Sequence, residues 1–430
     1  MSDARDNVIR ERVTASLARR YRRERRFRAL GFAAVMVGLV FLLIVFVSIF
    51  GKGLTAFRQT ALVLPVHVDA QLVDPFGDGS VESLAAGDYD RVIRNATNRL
   101  FSAASSRRDR RALSALVSAE AGFKLRDRVL QDPSLLDTTF ELQVPASARV
   151  DMLIKGNIDR DLPESQRQIT DQQVQWVDAL QAQDRVYTTF NSAFFTNGDS
   201  RDPELAGIRA AFMGSFYMLL VTLLLAFPLG VAAAIYLEEF APRNRWTDII
   251  EVNINNLAAV PSIVYGLLGL AVFINWAGMP RSAPLVGGLV LVLLTLPVII
   301  IAARAAIQSV PPSIREAALG VGASQVQMIF QHVLPLALPG ILTGAIIGIA
   351  RALGESAPLL MIGMVAFVVD VPASPLEPST ALPVQVYLWA DSPERAFVER
   401  TSAAIIVLLG FLLLVNLAAV LLRRRFERTW

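Results

Sequence analysis

The chain has 430 residues, of which 53% are hydrophobic and 18% charged, with mean hydropathy +0.46 and a formal net charge of +3. So apolar a composition argues against a soluble globular protein, and the apolar residues gather into long runs rather than recurring with a helical or strand period. The sequence has no cysteine, which excludes disulfides and thiolate metal sites, and only two histidines, His67 and His332, too far apart for a histidine metal cluster.

Residues 1–28 hold ten arginines against four acids. This basic segment reads as a cytoplasmic tail under the positive-inside rule. An apolar run follows from Ala29 to Phe50, giving a first transmembrane element over 29–51. It is too long for a signal-peptide core and no small-x-small cleavage site follows it, so it is expected to be retained.

Residues 52–206 are expected to form an α+β domain outside the cytoplasm. Between Gly53 and Ala206 there are 22 acids and 17 basic residues, unlike the strongly basic ends. The stretch TALVLPVHVDA alternates like a strand. Helices are expected over Asp88–Ala104 and Arg107–Leu130, an extended segment over TTFELQVPASARVDMLI, and a helix over ITDQQVQWVDALQAQDRVYTTF. No Ser-His-Asp grouping, histidine pair or glycine-rich phosphate loop occurs there. A structural or docking role is expected, with ligand sensing as the alternative.

The remainder, 207–425, carries five further runs near the roughly 20 residues that span a hydrocarbon core. They are Ala210–Leu237, Leu257–Trp276, Leu285–Ala303, Ile341–Val369 and Ala403–Leu422, the second and third containing Pro261 and Pro297. Six spans in all put both termini in the cytoplasm, and the closing RRRFERTW, including the tail end 426–430, is basic as that orientation requires. Arginine at both ends is better explained by topology and anionic lipid than by nucleic acid.

An ATP-binding phosphate loop needs a lysine followed by Ser or Thr after a glycine-rich turn. The three lysines, Lys52, Lys124 and Lys155, are followed by Gly, Leu and Gly. The chain does not hydrolyse nucleotide by that mechanism.

Between the runs Leu285–Ala303 and Ile341–Val369 lies SIREAALGVGASQVQMIFQHVLPLALPG, Ser313–Gly340. Pro312 can open a helix because its missing amide hydrogen is not needed there. Gly320 and Gly322 then interrupt it. Ser324 and Gln327 fit a capping box that restarts a helix, along which Val326, Ile329, Phe330 and Val333 recur at helical spacing. The pattern predicts a two-helix cytoplasmic knob. An amphipathic helix on the lipid surface usually carries Lys or Arg on its polar face, whereas Gln325, Gln327 and Gln331 stand here, which favours a protein partner such as a motor subunit.

The run Ile341–Val369, the fifth of the six expected spans, contains Arg351 and Glu355 near its middle. A lone arginine there would cost about 2.5–3.5 kcal/mol, and the i,i+4 spacing lets Glu355 share its face and partly neutralise it. Two readings stand: an ion pair that locks packing, or an anion path, since the guanidinium is a planar donor fork suited to a tetrahedral oxyanion. Beside that face Gly340, Gly344, Gly348, Ala352 and Ser356 recur every four residues, a ladder that lets another helix approach closely.

These motifs resemble those of permease subunits of bacterial ABC importers, in which Glu-Ala-Ala is followed at fixed spacing by Gly, Ile and Leu-Pro. Glu316, Ala317, Ala318, Gly322, Leu334 and Pro335 stand in register, with His332 in place of the Ile. In that family this loop is the coupling helix that enters a cleft of the ATPase subunit, which would give Arg315, Glu316, Ala317, Ala318 and Gly322 the coupling role. The wider stretch from about Phe190 to Arg425 is similar to the phosphate-specific, PstA-type branch, on AIYLEEFAPRNRWTDIIEVNINNLAAVPSIVYGLLGL, EAALGVGASQVQ, ARALGESAPLL and LPVQVYLWADSP. The resemblance places Arg351 and Glu355 at the family's intramembrane charged positions and matches Arg304 to an arginine at the inner end of the preceding helix.

The expectation is thus an all-α polytopic inner-membrane protein with six transmembrane helices of the ABC type-1 permease fold and an α+β extracytoplasmic insertion. It would be a non-catalytic permease subunit of a phosphate importer with no cofactor of its own. The implied partners are a second permease subunit, for which the small-residue ladder suggests a facing helix, an ATPase dimer and a periplasmic phosphate-binding protein. Another oxyanion, or a sensor or signalling scaffold, are the alternatives.

Overall fold

A computed structural model describes residues 2–101 and 106–426. Helix α1, Ser2–Gly53, runs without a break from the basic segment through the first apolar run. No Gly or Pro occurs before Gly31, and Arg, Glu, Ala and Leu are good helix formers. The expected tail and span are one helix. Residues 1–52 form one compact unit and residues 53–430 another.

In the second unit, β1 (Arg58–His67) is the centre of a three-stranded antiparallel sheet. It pairs with β2 (Thr139–Pro145) from Ala61↔Pro145 to His67↔Thr139, and with β3 (Val186–Phe190) from Arg58↔Phe190 to Leu62↔Val186. Four helices, α2 (Tyr89–Leu100), α3 (Glu120–Gln131), α4 (Ala148–Ile154) and α5 (Asp171–Ala182), accompany the sheet. Leu62, Leu64, Val92, Leu125, Val144 and Val177 share one buried core.

Three sequence expectations are corrected here. The helix expected over Arg107–Leu130 is two, Arg107–Ser114 and α3, because the chain turns at Leu116–Ser118 to bond with the end of β2. The stretch expected as wholly extended stops at Pro145 and becomes α4 after Ser147. The last predicted helix ends at Ala182, where Asp184 takes a positive φ of 53° and turns the chain into β3. The end of the helix expected over Asp88–Ala104 falls partly outside the described residues.

The membrane part begins with α6 (Arg209–Ile235), which continues through a π-helical turn to Phe240. Then come α7 (Arg245–Ala258), α8 (Ser262–Gly269, continued by a π-helical turn to Trp276) and α9 (Pro284–Gln308). After α10 (Pro312–Gly320) a helix starts at Gln325, passes a π-helical turn over Ile329–Val333 and continues as α11 (Leu334–Gly354). Short helices α12 (Ala357–Met361) and α13 (Leu382–Ala390) precede α14 (Phe397–Phe426). Among the described residues, five helices are long and apolar enough to cross a membrane, or six if the bent pair α7–α8 is one span.

Two expected spans are broken. The one placed at Leu257–Trp276 is the second limb of a pair bent by 101° across Ala259–Pro261. Pro261 disfavours helix in the residue before it, which fixes the bend. The one placed at Ile341–Val369 ends at Gly354, because Glu355 is extended (φ −78°, ψ 123°) and Pro358 opens the next short helix. Apolar residues such as Val365, Phe367 and Val369 beyond it belong to a non-helical segment, not to a span.

Candidate functional site

The turn after α10 is as the glycine pattern requires at one position: Gly322 has φ +89°, a conformation that a side chain with Cβ resists. Gly320 is simply the last residue of α10. The Ser324–Gln327 capping box is present, Ser324 N donating to Gln327 Oε1 at 2.9 Å and Gln327 N to Ser324 Oγ at 3.3 Å. The second limb, however, is not a short helix of its own but the start of the long helix that becomes α11. The π-helical turn breaks the 3.6-residue register. Ile329 and Val333 therefore turn inward, while Val326 and Phe330, predicted on the same face, are exposed.

Ala318 is buried on Ile307, Met328 and Ile329, whereas Glu316 and Ala317 are exposed. Arg315 holds the knob to its base. Its guanidinium meets Glu239 Oε1 at 2.9 Å and donates to the carbonyls of Ile307 (2.9 Å) and Val310 (2.6 Å), satisfying the open C-terminal end of α9. Gln325 Nε2 donates to the Glu239 carbonyl at 2.6 Å, so both limbs are tied to one residue at the end of α6. What remains outward is an apolar tip of Leu319, Val321, Val326 and Phe330 around Gly322, with Val321 85% exposed.

Arg304 is engaged by two carboxylates, Glu238 at 2.5 Å and Glu251 at 2.7 Å, and is 16% exposed. This triad joins the ends of α6 and α9 to the middle of α7. An anion would reach Arg304 only if both acids released it. Glu238, Glu239 and Glu251 were not singled out from the sequence, although EEF at the end of an apolar run was a visible signal.

Arg351 stands in the last turn of α11 rather than at mid-span, where its charge also complements the helix dipole. Its Nε lies 3.6 Å from Glu355 Oε1, with the arginine 47% and the glutamate 19% exposed. The pair therefore spans a helix end instead of sharing a helix face. The break at Glu355–Ser356 adjoins the bent pair, for a Cβ on Gly266 of α8 would come within 2.7 Å of Pro358 Cα.

The small-residue ladder is used inside the chain. A Cβ on Gly340 would meet Ala306 Cβ at 2.8 Å, one on Gly344 would meet Ala302 Cβ at 2.1 Å, and one on Gly348 would meet Ile299 at 3.6 Å. Ala352 is fully buried and Ser356 sits at the start of α12. The facing helix is α9 of the same chain, so the ladder gives no argument for a second subunit.

Residues 226–428 match the family described as "Binding-protein-dependent transport system inner membrane component". The phosphate transport system permease protein PstA 1 of Mycobacterium tuberculosis is 34% identical over 218 residues, which are 50% of this chain and 70% of that protein. The chain belongs to the PstA family of membrane permeases. A probable ABC transporter permease protein of Bacillus subtilis, YqgI, is 39% identical over 168 residues, 39% of this chain and just over half (56%) of that protein. Residues 14–164 match a domain of unknown function, DUF3333, which ends before residues 226–428 begin. Among solved structures, the inward-facing methionine transporter MetNI is 18% identical, with 51% of this chain and 96% of that chain covered and a TM-score of 0.41. Residues 226–428, matched by the transport-component family, contain the knob, Arg304, the Arg351–Glu355 pair and the ladder.

Proposed function

We propose that the chain is the transmembrane permease subunit of an ATP-driven phosphate importer, forming half of the translocation path and leaving ATP hydrolysis to a separate subunit. The observation that carries this reading is the Arg351–Glu355 pair at the junction of two broken helices. Interrupted helices at membrane depth are tolerated where they line a cavity, and their ends bind substrates and ions in other transporters. An exposed, loosely held pair of this kind contributes only about 0–1 kcal/mol to stability. A packing lock is therefore a weak reason for its presence, and a role toward a substrate a better one.

The guanidinium supplies a planar donor fork for an oxyanion. Phosphate protonated at one oxygen can donate to Glu355, while sulfate, fully ionised, would be repelled by it. The names of the PstA relatives support phosphate in the same sense. In this proposal Arg304 serves mainly as a tie between α6, α7 and α9. The apolar tip around Gly322, with Glu316 and Ala317 exposed beside it, is the docking face for a dimeric ATPase. A second permease subunit and a periplasmic phosphate-binding protein complete the importer. With α7–α8 counted as one span, six spans would leave both termini on one side, which in this proposal is the cytoplasm because the ends are basic, and residues 53–206 on the other.

The test is phosphate uptake in cells lacking other phosphate importers. Arg351→Gln keeps hydrogen bonding and loses the charge. It is expected to lower uptake by about tenfold or more, equivalent to about 1.4 kcal/mol, with normal membrane level and ATPase association. Adding Glu355→Gln should not restore transport. Robust uptake by the double variant would show that the pair is structural.

A further inference from the structure

We propose that the base of the α+β domain dips a row of stacked phenylalanines into the lipid headgroup layer on its side of the membrane. The Ala56 carbonyl accepts from Asn191 Nδ2 at 2.9 Å and from an Arg400 guanidinium nitrogen at 3.3 Å. These bonds put the turn before β1, the turn after β3 and the first turn of α14 at one level. Around that point Phe57 stacks on Phe195 with centroids 5.5 Å apart, and Phe195 on Phe190 at 5.7 Å with the planes 4° from parallel. Phe194 lies buried beneath, edge-on to Phe195, with the Arg400 guanidinium over its ring at 5.8 Å.

The row runs from the interior outward and ends in the open. Phe195 is 40% and Phe190 67% exposed, with Leu54 and Arg58 exposed at the same end of the sheet. Burying a phenylalanine is worth about 1.5–3 kcal/mol, so two rings presented to water forgo a substantial gain. Their height explains what covers them. Arg400 lies three residues before the apolar run that begins at Ala403, about 5 Å along the helix. Each headgroup layer outside the hydrocarbon is about 5–8 Å thick. The row therefore lies in the interfacial layer, where aromatic side chains anchor membrane proteins. Arg58, paired with Phe190 across β1 and β3, adds a cation suited to a lipid phosphate.

The proposal goes beyond the transport reading and rests only on α14 crossing the bilayer. The chain has no cysteine, so single nitroxide labels can be placed at Phe190→Cys, Phe195→Cys, Thr139→Cys and Leu413→Cys in the full chain, reconstituted in phospholipid vesicles. Thr139 is exposed at the far end of β2 and Leu413 is exposed on α14. Labels at 190 and 195 are expected to favour collision with oxygen over a water-soluble nickel chelate several-fold more than the label at 139, at a depth shallower than 413. Nickel access equal to that at 139 would place the row in water and overturn the proposal. Shielding from both reagents would overturn it in favour of a protein cover. A label at 413 without oxygen preference would instead mean that α14 does not span, removing the footing of the proposal separately from the behaviour of the phenylalanines.

Discussion

Glu204 is 8% exposed, and burial pushes its carboxyl above the ordinary glutamate value of 4.5. Asp202 acts in the same direction, while hydrogen bonds from the Ser118 side chain and backbone amides pull the other way more weakly. A carboxyl raised by burial is at ease when protonated in both the folded and unfolded states, that is, below pH 4.5. As pH rises from there through the folded-state value, the unfolded chain ionises first and the folded protein loses stability. Above both values the loss is constant. Glu204→Gln is expected to be more stable than the parent at neutral pH, by an amount on the order of 1 kcal/mol. The difference should vanish in acid, as thermal unfolding across pH would read. The neighbouring ion pairs differ in kind. Lys155 Nζ lies 2.7 Å from Asp151 and 2.9 Å from Glu399, and Asp151 also accepts from the Thr60 amide and hydroxyl. All three charged side chains are nearly inaccessible, so removing one strands another in low dielectric, a loss of about 3–5 kcal/mol.

At the scale of helices, the α9–α11 contact makes a sharp distinction between two glycines four residues apart. A methyl group on Gly344 would sit 2.1 Å from Ala302 Cβ, while one on Gly348 would sit 3.6 Å from Ile299, an ordinary contact. Gly344→Ala should cost about 1–3 kcal/mol through overpacking and lower the amount of folded protein in the membrane. Gly348→Ala should be close to neutral. Immunoblots and thermal aggregation of the detergent-extracted variants would separate them. The ladder itself was legible because small residues at a four-residue spacing leave a visible pattern, and so were β1, the capping box and the left-handed Gly322. The helix facing the ladder was not legible, since a small-residue face is compatible with a partner inside or outside the chain. The breaks at Ala259–Pro261 and Glu355–Ser356 escaped because hydropathy registers burial in lipid but not backbone direction. Apolar residues after Gly354 extended the run without extending the helix. The i,i+4 pair of Arg351 and Glu355 does form, at 3.6 Å, but across a helix end rather than on one helix face, because the helix ends between them. The carboxylate partners of Arg304 and Arg315 are contributed from 53 to 76 residues away in sequence, and only the folded bundle brings them together.

At the scale of the molecule, the α+β domain is joined to the last helix rather than tethered beside it. The Lys155–Glu399 pair, the Asn157 contact to Glu399 at 3.5 Å, the Arg400–Ala56 bond and an apolar cluster of Ala148, Met152 and Ala396 all cross the same junction. Buried charge pairs hold only in good geometry, because their desolvation is offset only at short, fixed distances. A domain that swung away from α14 would expose several such groups at once. In the transport cycle proposed for the chain, in which packed elements would shift as rigid bodies, the domain and the start of α14 should therefore move together. Met152→Cys with Ala396→Cys tests this, because the chain offers no other thiol. Bridging the pair with a short bis-maleimide should leave phosphate uptake within about twofold of the unbridged double variant, less than about 0.5 kcal/mol of effect. If the bridged protein stops transporting while the unbridged one works, the junction must open in the cycle, and the domain is then a moving part rather than a fixed mount on α14.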